Sequence, residues 1–361
     1  MKETSVKTVG ILTSGGDAPG LNAAIRSLCI SGKNKYGMKF IGVRNGYKGL
    51  IENDVFNMDE IDLEPLISVG GTILGTSRVK PFKNPMPDPD TGLLPVDAIR
   101  ETFKKNNFDA LVCLGGNGTN STASLLSDAG FNVIGLPKTI DNDIVGTDET
   151  FGFHTAIDVA TEGLYTMRTT ARSHGRAMVV EIMGHKVGWL GLYAGIAGRA
   201  DVILLPEIPY DIKKIGDALR AKKAQGQHDF VIACSEGALD LDEAELSKKE
   251  FKKARENMKQ SVAFRVAAEI EAETGIETRT SVLGYLQRGS GPSAYDMILA
   301  TKIGNAAADF LAEEKFGNLV AVKGKDIAPT PLKEVEGKIK SIEMDEPMLE
   351  TARNLGICFG D

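Results

Sequence analysis

The segment Pro137-Lys138-Thr139-Ile140-Asp141-Asn142-Asp143 follows directly on the apolar run 132–136. A strand that ends in carboxylates puts a general base, and a seat for a divalent cation, at the open edge of an α/β sheet, where such folds bind their ligands. Asp141 and Asp143 are two residues apart, so on extended backbone both carboxylates share a face. One would then take a proton from an attacking hydroxyl while the other holds Mg²⁺ or a helix terminus. The competing reading is an Asn-Asp turn with capping aspartates.

Two glycine-rich segments should meet the same edge. Thr13-Ser14-Gly15-Gly16-Asp17 and Gly115-Gly116-Asn117-Gly118-Thr119 each close an apolar, strand-like run. Glycine lets backbone approach a ligand closely, and a helix opening at Pro19 would aim free N–H groups at an anion. Neither loop is a Walker A or a GxGxxG fingerprint. The Asn117 amide oxygen is a candidate for a metal or its water; the competing reading is a tight turn with Thr119 as helix N-cap. Two such loops facing a carboxylate cluster point to phosphoryl transfer. Arg176, Arg279 and Arg288 each adjoin a predicted strand or turn, and Arg suits bidentate phosphate recognition, although a single Arg is more often solvated.

The elements that must position these residues alternate. Continuous apolar runs at 8–14, 39–44, 109–115 and 132–136 read as parallel strands buried on both faces, with helical spacing at 20–33, 96–106 and 119–129 between them. A second set of strands follows at 177–183, 201–206, 229–235 and 281–286. Its helices are expected at 150–171, 187–197 and 211–224, with a long charged one within 242–273. A helix at 298–314 and a strand at 318–323 would complete the first set. The order predicts two similar doubly wound α/β domains with mainly parallel sheets. The first would take 1–148 plus about 287–330, and the second about 149–286 plus 331–361. Residues 83–92 form a turn-rich loop.

At 361 residues two domains are the natural expectation, and 42% apolar with 25% charged residues fits a globular protein. A net charge of −7 argues against nucleic acid as a partner. Cys29, Cys113, Cys234 and Cys358 have no CxxC spacing, and a reducing compartment is expected. Residues 1–7 lack the apolar core of a signal peptide, and no apolar run is long enough to span a bilayer, so a cytoplasmic location without membrane contact is expected.

Four segments, in order, together resemble the 6-phosphofructokinase family: residues 14–26 (SGGDAPGLNAAIR), 137–143 (PKTIDND), 180–184 (VEIMG) and 283–289 (LGYLQRG). The resemblance runs from about residue 8 to 326. It implies glycolytic, Mg²⁺-dependent phosphorylation of fructose 6-phosphate at O1, by two α/β domains with the active site in the cleft between them, in a homotetramer or homodimer. Carried over, Asp141 is the catalytic base and Thr139 positions the transferred group. Gly15, Arg78, Val79, Asn117, Gly118 and Thr119 line the donor side, with Arg78 bridging donor and acceptor phosphates. Met183, Gly184, His185 and Glu236 meet the sugar, and Tyr285 and Arg288 its 6-phosphate. Arg176 and Arg279 match arginines that reach this site from a neighbouring subunit, and Asn117, Asp141 and Asp143 are the implied metal residues.

Departures from the bacterial pattern are specific. Asn117 replaces an aspartate that helps hold Mg²⁺, His185-Lys186 stands where an arginine is usual, and Tyr285 replaces a histidine. Ile30, Gln225 and Gln227 fall where the bacterial effector site uses basic residues, which argues against ADP or phosphoenolpyruvate regulation there. The donor turns on Gly118 and Lys138. Pyrophosphate-dependent relatives carry aspartate at the first position and lysine at the second; ATP-dependent bacterial enzymes carry glycine at both. This mixed pair resembles the mixed-substrate group. A carboxylate at 118 would exclude ATP's inner phosphate by space and charge, whereas a lysine can assist ATP as well, so the reading favours ATP over pyrophosphate. Diacylglycerol and NAD kinases share a Gly-Gly-Asp-Gly type of loop but not the segments at 137–143 and 287–289. A catalytically silent sugar-phosphate-binding protein is the rival from another class, against which Asp141 and Thr139 weigh.

Overall fold

The computed structural model describes residues 2–83, 85–258 and 260–361; Met1 of the N-terminal segment, Asn84 of the turn-rich loop and Lys259 of the long charged helix lie outside the described residues. The chain forms two compact units, Met1–Thr155 with Arg288–Lys340, and Ala156–Gln287 with Ser341–Asp361. Residues 331–340, assigned above to the second domain, thus pack with the first unit.

The chain runs through β1 (Thr8–Ser14), α1 (Leu21–Tyr36), β2 (Lys39–Val43), α2 (Tyr47–Glu52), β3 (Val55–Asn57), α3 (Pro95–Asn106), β4 (Ala110–Gly115), α4 (Asn117–Asp128) and β5 (Val133–Pro137). Helix α5 (Phe153–His174) leads into β6 (Ala177–Ile182), α6 (Trp189–Ala197), β7 (Val202–Leu204), α7 (Ile212–Ala224) and β8 (Phe230–Ser235). Then come α8 (Leu241–Glu245), α9 (Lys248–Asn257), α10 (Val262–Thr274), β9 (Thr278–Val282) and α11 (Leu286–Gly289). The chain continues with α12 (Ala294–Ala312), β10 (Asn318–Lys323), β11 (Asp326–Pro331), α13 (Leu332–Val335) and α14 (Pro347–Asn354).

The first unit holds a seven-stranded sheet in the order β11-β10-β5-β4-β1-β2-β3. Its central strands are parallel, with β3 and β11 antiparallel at the edges. Alternate residues feed two cores: Val9, Ile11 and Val112 pack towards α1 and α12, while Leu12, Leu111 and Cys113 pack on the other face. Burial on both faces is what the unbroken apolar runs require. Pairing of Ser14 with Gly115, and of Gly115 with Pro137, brings three strand ends level. Because β1 lies between β2 and β4, the strand order reverses there, which opens the crevice where doubly wound sheets bind ligands.

The second unit holds a parallel sheet in the order β7-β8-β6-β9. Ile182 pairs with Ser235 and Glu181 with Val282, so the residues following β6, β8 and β9 share one edge. A parallel bridge joins Val202 to Cys358, with Ile203 donating to the Cys358 carbonyl at 2.9 Å, so residues near 358 line the outer side of β7.

Three elements differ from expectation. The strand expected at 281–286 is β9, Thr278–Val282, because Thr278-Arg279-Thr280-Ser281 is a partly exposed edge strand without an apolar run. The long helix within 242–273 is three helices: Ser247 makes a capping box with Glu250 at the start of α9, and Ser261 opens α10. β11 carries Pro329 and Pro331, which an edge strand tolerates and a sequence reading discounts. All four cysteines are free thiols. Among the described residues no helix is long and apolar enough to cross a membrane.

Candidate active site

Each unit presents its own set of candidate residues. In the first, β1 is followed by Gly15, whose φ of +85° is a conformation that only glycine adopts readily. The turn is zipped to the segment before Arg78: Gly15 N donates to Ser77 O at 3.0 Å, and Thr76 Oγ1 to Gly15 O at 2.6 Å. Arg78 and Val79 follow directly, exposed to solvent beside this turn.

The second loop begins α4 at Asn117, with Gly116 as N-cap. Thr119 is therefore inside the helix and is not the cap; its buried hydroxyl donates to Ser14 O at 3.0 Å, tying the two glycine loops together. A Cβ built on Gly118 would meet only Cε and Nζ of Lys80, both at 3.7 Å, an ordinary contact.

The carboxylate segment is a turn. Asn142 has φ +50°, so Asp141 and Asp143 do not share a face of an extended strand as the two-residue spacing suggested. The hydroxyl of Thr139, itself buried, accepts from Asp141 N at 3.1 Å, and Thr150 Oγ1 donates to Thr139 O at 2.9 Å. Asp143 faces the second glycine loop, where Asn117 Nδ2 donates to its Oδ2 at 2.7 Å and to its carbonyl at 3.1 Å. Asn117 Oδ1 is buried without a protein partner. Such an oxygen fits a hard cation or its water, and Mg²⁺ commonly takes one or two protein oxygens and completes its shell with substrate phosphates and water. Among the described residues no three His, Cys, Asp or Glu gather as an all-protein metal cage.

Lys138 is buried, and its amine donates to the Gly16 carbonyl. Burial, reinforced by the neighbouring Arg288 guanidinium, pushes this amine down to about 8, against the pull of Asp141, Asp17 and Asp143. Arg288 lies over Gly16: a Cβ there would sit 2.5 Å from Nη1. The structure therefore places Arg288 beside the first glycine loop.

In the second unit, β6 is followed by Met183, whose N–H donates to the buried Gln287 side chain at 3.3 Å. Gly184 has φ +143° and His185 φ +53°, which turns both N–H groups onto Glu236 Oε1, at 3.3 and 2.7 Å. Glu236 itself follows β8, anchored by its N–H to Ile182 O at 2.8 Å. Tyr285 is 76% exposed. Arg176 and Arg279 converge on one oxygen of Glu277, at 3.3 and 2.6 Å. The contacts that Glu277 and Gln287 make with these candidates were not legible in the sequence. Glu277 lies two residues from Arg279 and Gln287 sits in the quoted 283–289 segment, yet neither pairing nor burial can be read from type.

Phosphate-compatible loops level with a carboxylate turn in one unit, and paired arginines in the other, define a phosphotransferase of the two-sheet α/β class. The chain belongs to the phosphofructokinase family, whose match covers residues 8–311. An ATP-dependent 6-phosphofructokinase of Spirochaeta thermophila is 51% identical over 367 residues, covering 100% of both chains. A pyrophosphate–fructose 6-phosphate 1-phosphotransferase of Amycolatopsis methanolica is 41% identical over 335 residues, 92% of this chain and 96% of the relative. The crystal structure of Pichia pastoris phosphofructokinase in the T-state superposes with a TM-score of 0.76 at 30% identity, over 98% of this chain and 37% of that one.

Proposed function

We propose that this protein transfers the terminal phosphoryl group of ATP to O1 of fructose 6-phosphate, giving fructose 1,6-bisphosphate and ADP, the glycolytic reaction. The observation that carries the donor choice is the space over Gly118. A Cβ there meets nothing closer than 3.7 Å, so packing does not call for the glycine. Glycine also weakens a helix, here in its first turn, which leaves room for the inner phosphate of ATP as its use. The name of the Spirochaeta thermophila relative supports the same reading.

Asp141 is the base that takes the proton of the attacking 1-hydroxyl, and Thr139 orients the transferred group. Arg78 neutralises charge that develops between donor and acceptor phosphates. Catalysis of this kind is mostly positioning and charge neutralisation. Asn117 and Asp143, with Asp141 beside them in sequence, are the residues that would hold Mg²⁺, which when bound neutralises charge on the donor phosphates. The loop 183–185 and Glu236 bind the sugar, with Tyr285 and Arg288 for its 6-phosphate. Arg176 and Arg279 serve the site of a neighbouring subunit in a homotetramer or homodimer, and the location is cytoplasmic.

Pyrophosphate is the second reading. The Lys138 amine, set against Gly16, and the Amycolatopsis methanolica relative favour it. Initial rates of fructose 1,6-bisphosphate formation with ATP and with pyrophosphate, each with fructose 6-phosphate and Mg²⁺, decide between them. Turnover with pyrophosphate alone would reverse the donor assignment; turnover with neither would leave a sugar-phosphate-binding protein.

A further inference from the structure

We infer that Lys80, a residue to which the family resemblance gives no role, contacts the phosphates of the donor; the inference rests on the phosphotransferase reading above. The side chain of Lys80 reaches the first turn of α4, with Cε and Nζ each 3.7 Å from the point where a Cβ on Gly118 would stand. That turn is the positive end of a twelve-residue helix, and its leading N–H groups have no partner within the helix. A cation placed there is repelled by the helix dipole. Among the described residues no carboxylate pairs with Lys80 to offset it. An ammonium and a helix N-terminus that share a space can both be satisfied by one species, an anion standing between them.

The anion belongs over Gly118, since glycine leaves that volume empty. A phosphate there would receive the ammonium on one side and helix N–H groups on the other. Lys80 is exposed, so its hydrated stem can follow a phosphate at low cost. Lys138 differs in kind. It is buried and held to Gly16, so its position is set before any donor arrives. Lys80 would therefore report on the phosphate that stands over residue 118, and a carboxylate introduced at 118 should take its place.

The test is equilibrium titration of MgATP and of pyrophosphate into wild type, Lys80→Met and Lys80→Arg, run beside steady-state kinetics. In Lys80→Met we expect the donor dissociation constant and the donor KM to rise about tenfold, the scale of one charge-assisted contact, with the fructose 6-phosphate KM unchanged. Lys80→Arg should restore most of the loss. In a Gly118→Asp background the same Lys80→Met change should alter donor binding less than twofold, because the aspartate already holds the lysine. Equal donor affinity of wild type and Lys80→Met, or no binding of either donor to wild type, overturns the inference. Donor binding that weakens in Lys80→Met while wild type turns over no sugar phosphate would keep Lys80 and discard the phosphotransferase reading.

Discussion

The amine of buried Lys138 donates to the carbonyl of Gly16, joining the carboxylate turn to the first glycine loop. Burial and the adjacent Arg288 lower this amine from an ordinary 10.5 to about 8. The charge that would face a donor is thus present below pH 8 and lost above it. Donor kcat/KM should fall as pH rises through about 8, and Lys138→Met should flatten that limb. Stability moves the other way. Between about 8 and 10.5 the unfolded chain holds the proton and the folded one does not, so stability rises with pH across that window. Lys340 is also lowered to about 8 by burial, so denaturant titrations should compare wild type with Lys138→Met to isolate Lys138.

Asp141→Asn should cut kcat by about 10³-fold while leaving fructose 6-phosphate affinity nearly intact, since an amide keeps the shape but takes no proton. Full activity in this variant would remove Asp141 from the role of base.

Arg176→Ala should raise the KM for fructose 6-phosphate by roughly tenfold and leave that for ATP within twofold. Glu277 anchors Arg176 and Arg279 together, so Glu277→Gln should raise the same sugar KM by a smaller factor. Steady-state titration of each substrate at saturation of the other reads both effects, and a sugar KM unchanged by Arg176→Ala would contradict the assignment.

Gly118→Asp should lower kcat/KM for ATP by at least about 100-fold, because a carboxylate against a phosphate costs space and like-charge repulsion. The fold should tolerate the change, since the nearest atoms are the mobile end of Lys80. ATP turnover that survives this substitution would refute the steric account of donor choice.

Asp296 caps the start of α5 from another element. Its buried carboxylate accepts from Gly152 N at 2.9 Å and from Thr155 N at 2.7 Å, and burial raises its affinity for a proton. Asp296→Ala should cost about 2–4 kcal/mol, since two buried N–H groups lose their acceptor. Denaturant unfolding would measure it.

Much of the fold was legible because buried parallel strands write themselves as apolar runs: 8–14 and 318–323 coincide with β1 and β10. β9 was shifted because an edge strand of alternating Thr and Arg has no such run. At the site, residue types and order were readable, while local geometry was not. The left-handed backbone at Asn142, which turns Asp143 towards Asn117, depends on contacts remote in sequence. Arg288 shows the same limit: its guanidinium stands over Gly16, a placement that its motif does not reveal. Type and spacing nominate a side chain; neighbours decide which way it faces.

Residues near 358, which run beside β7, act as a stopper. A short parallel strand at the rim of a sheet offers a row of unfilled donors and acceptors to any other chain. Here Cys358 donates to Asp201 O at 3.1 Å and accepts from Ile203, and Gly360 O accepts from Asp211 at 2.7 Å, so that row is already occupied. Deleting residues 356–361 would uncork β7 and turn the second sheet into a template for aggregation, a failure of solubility that would arise far from any residue that touches substrate.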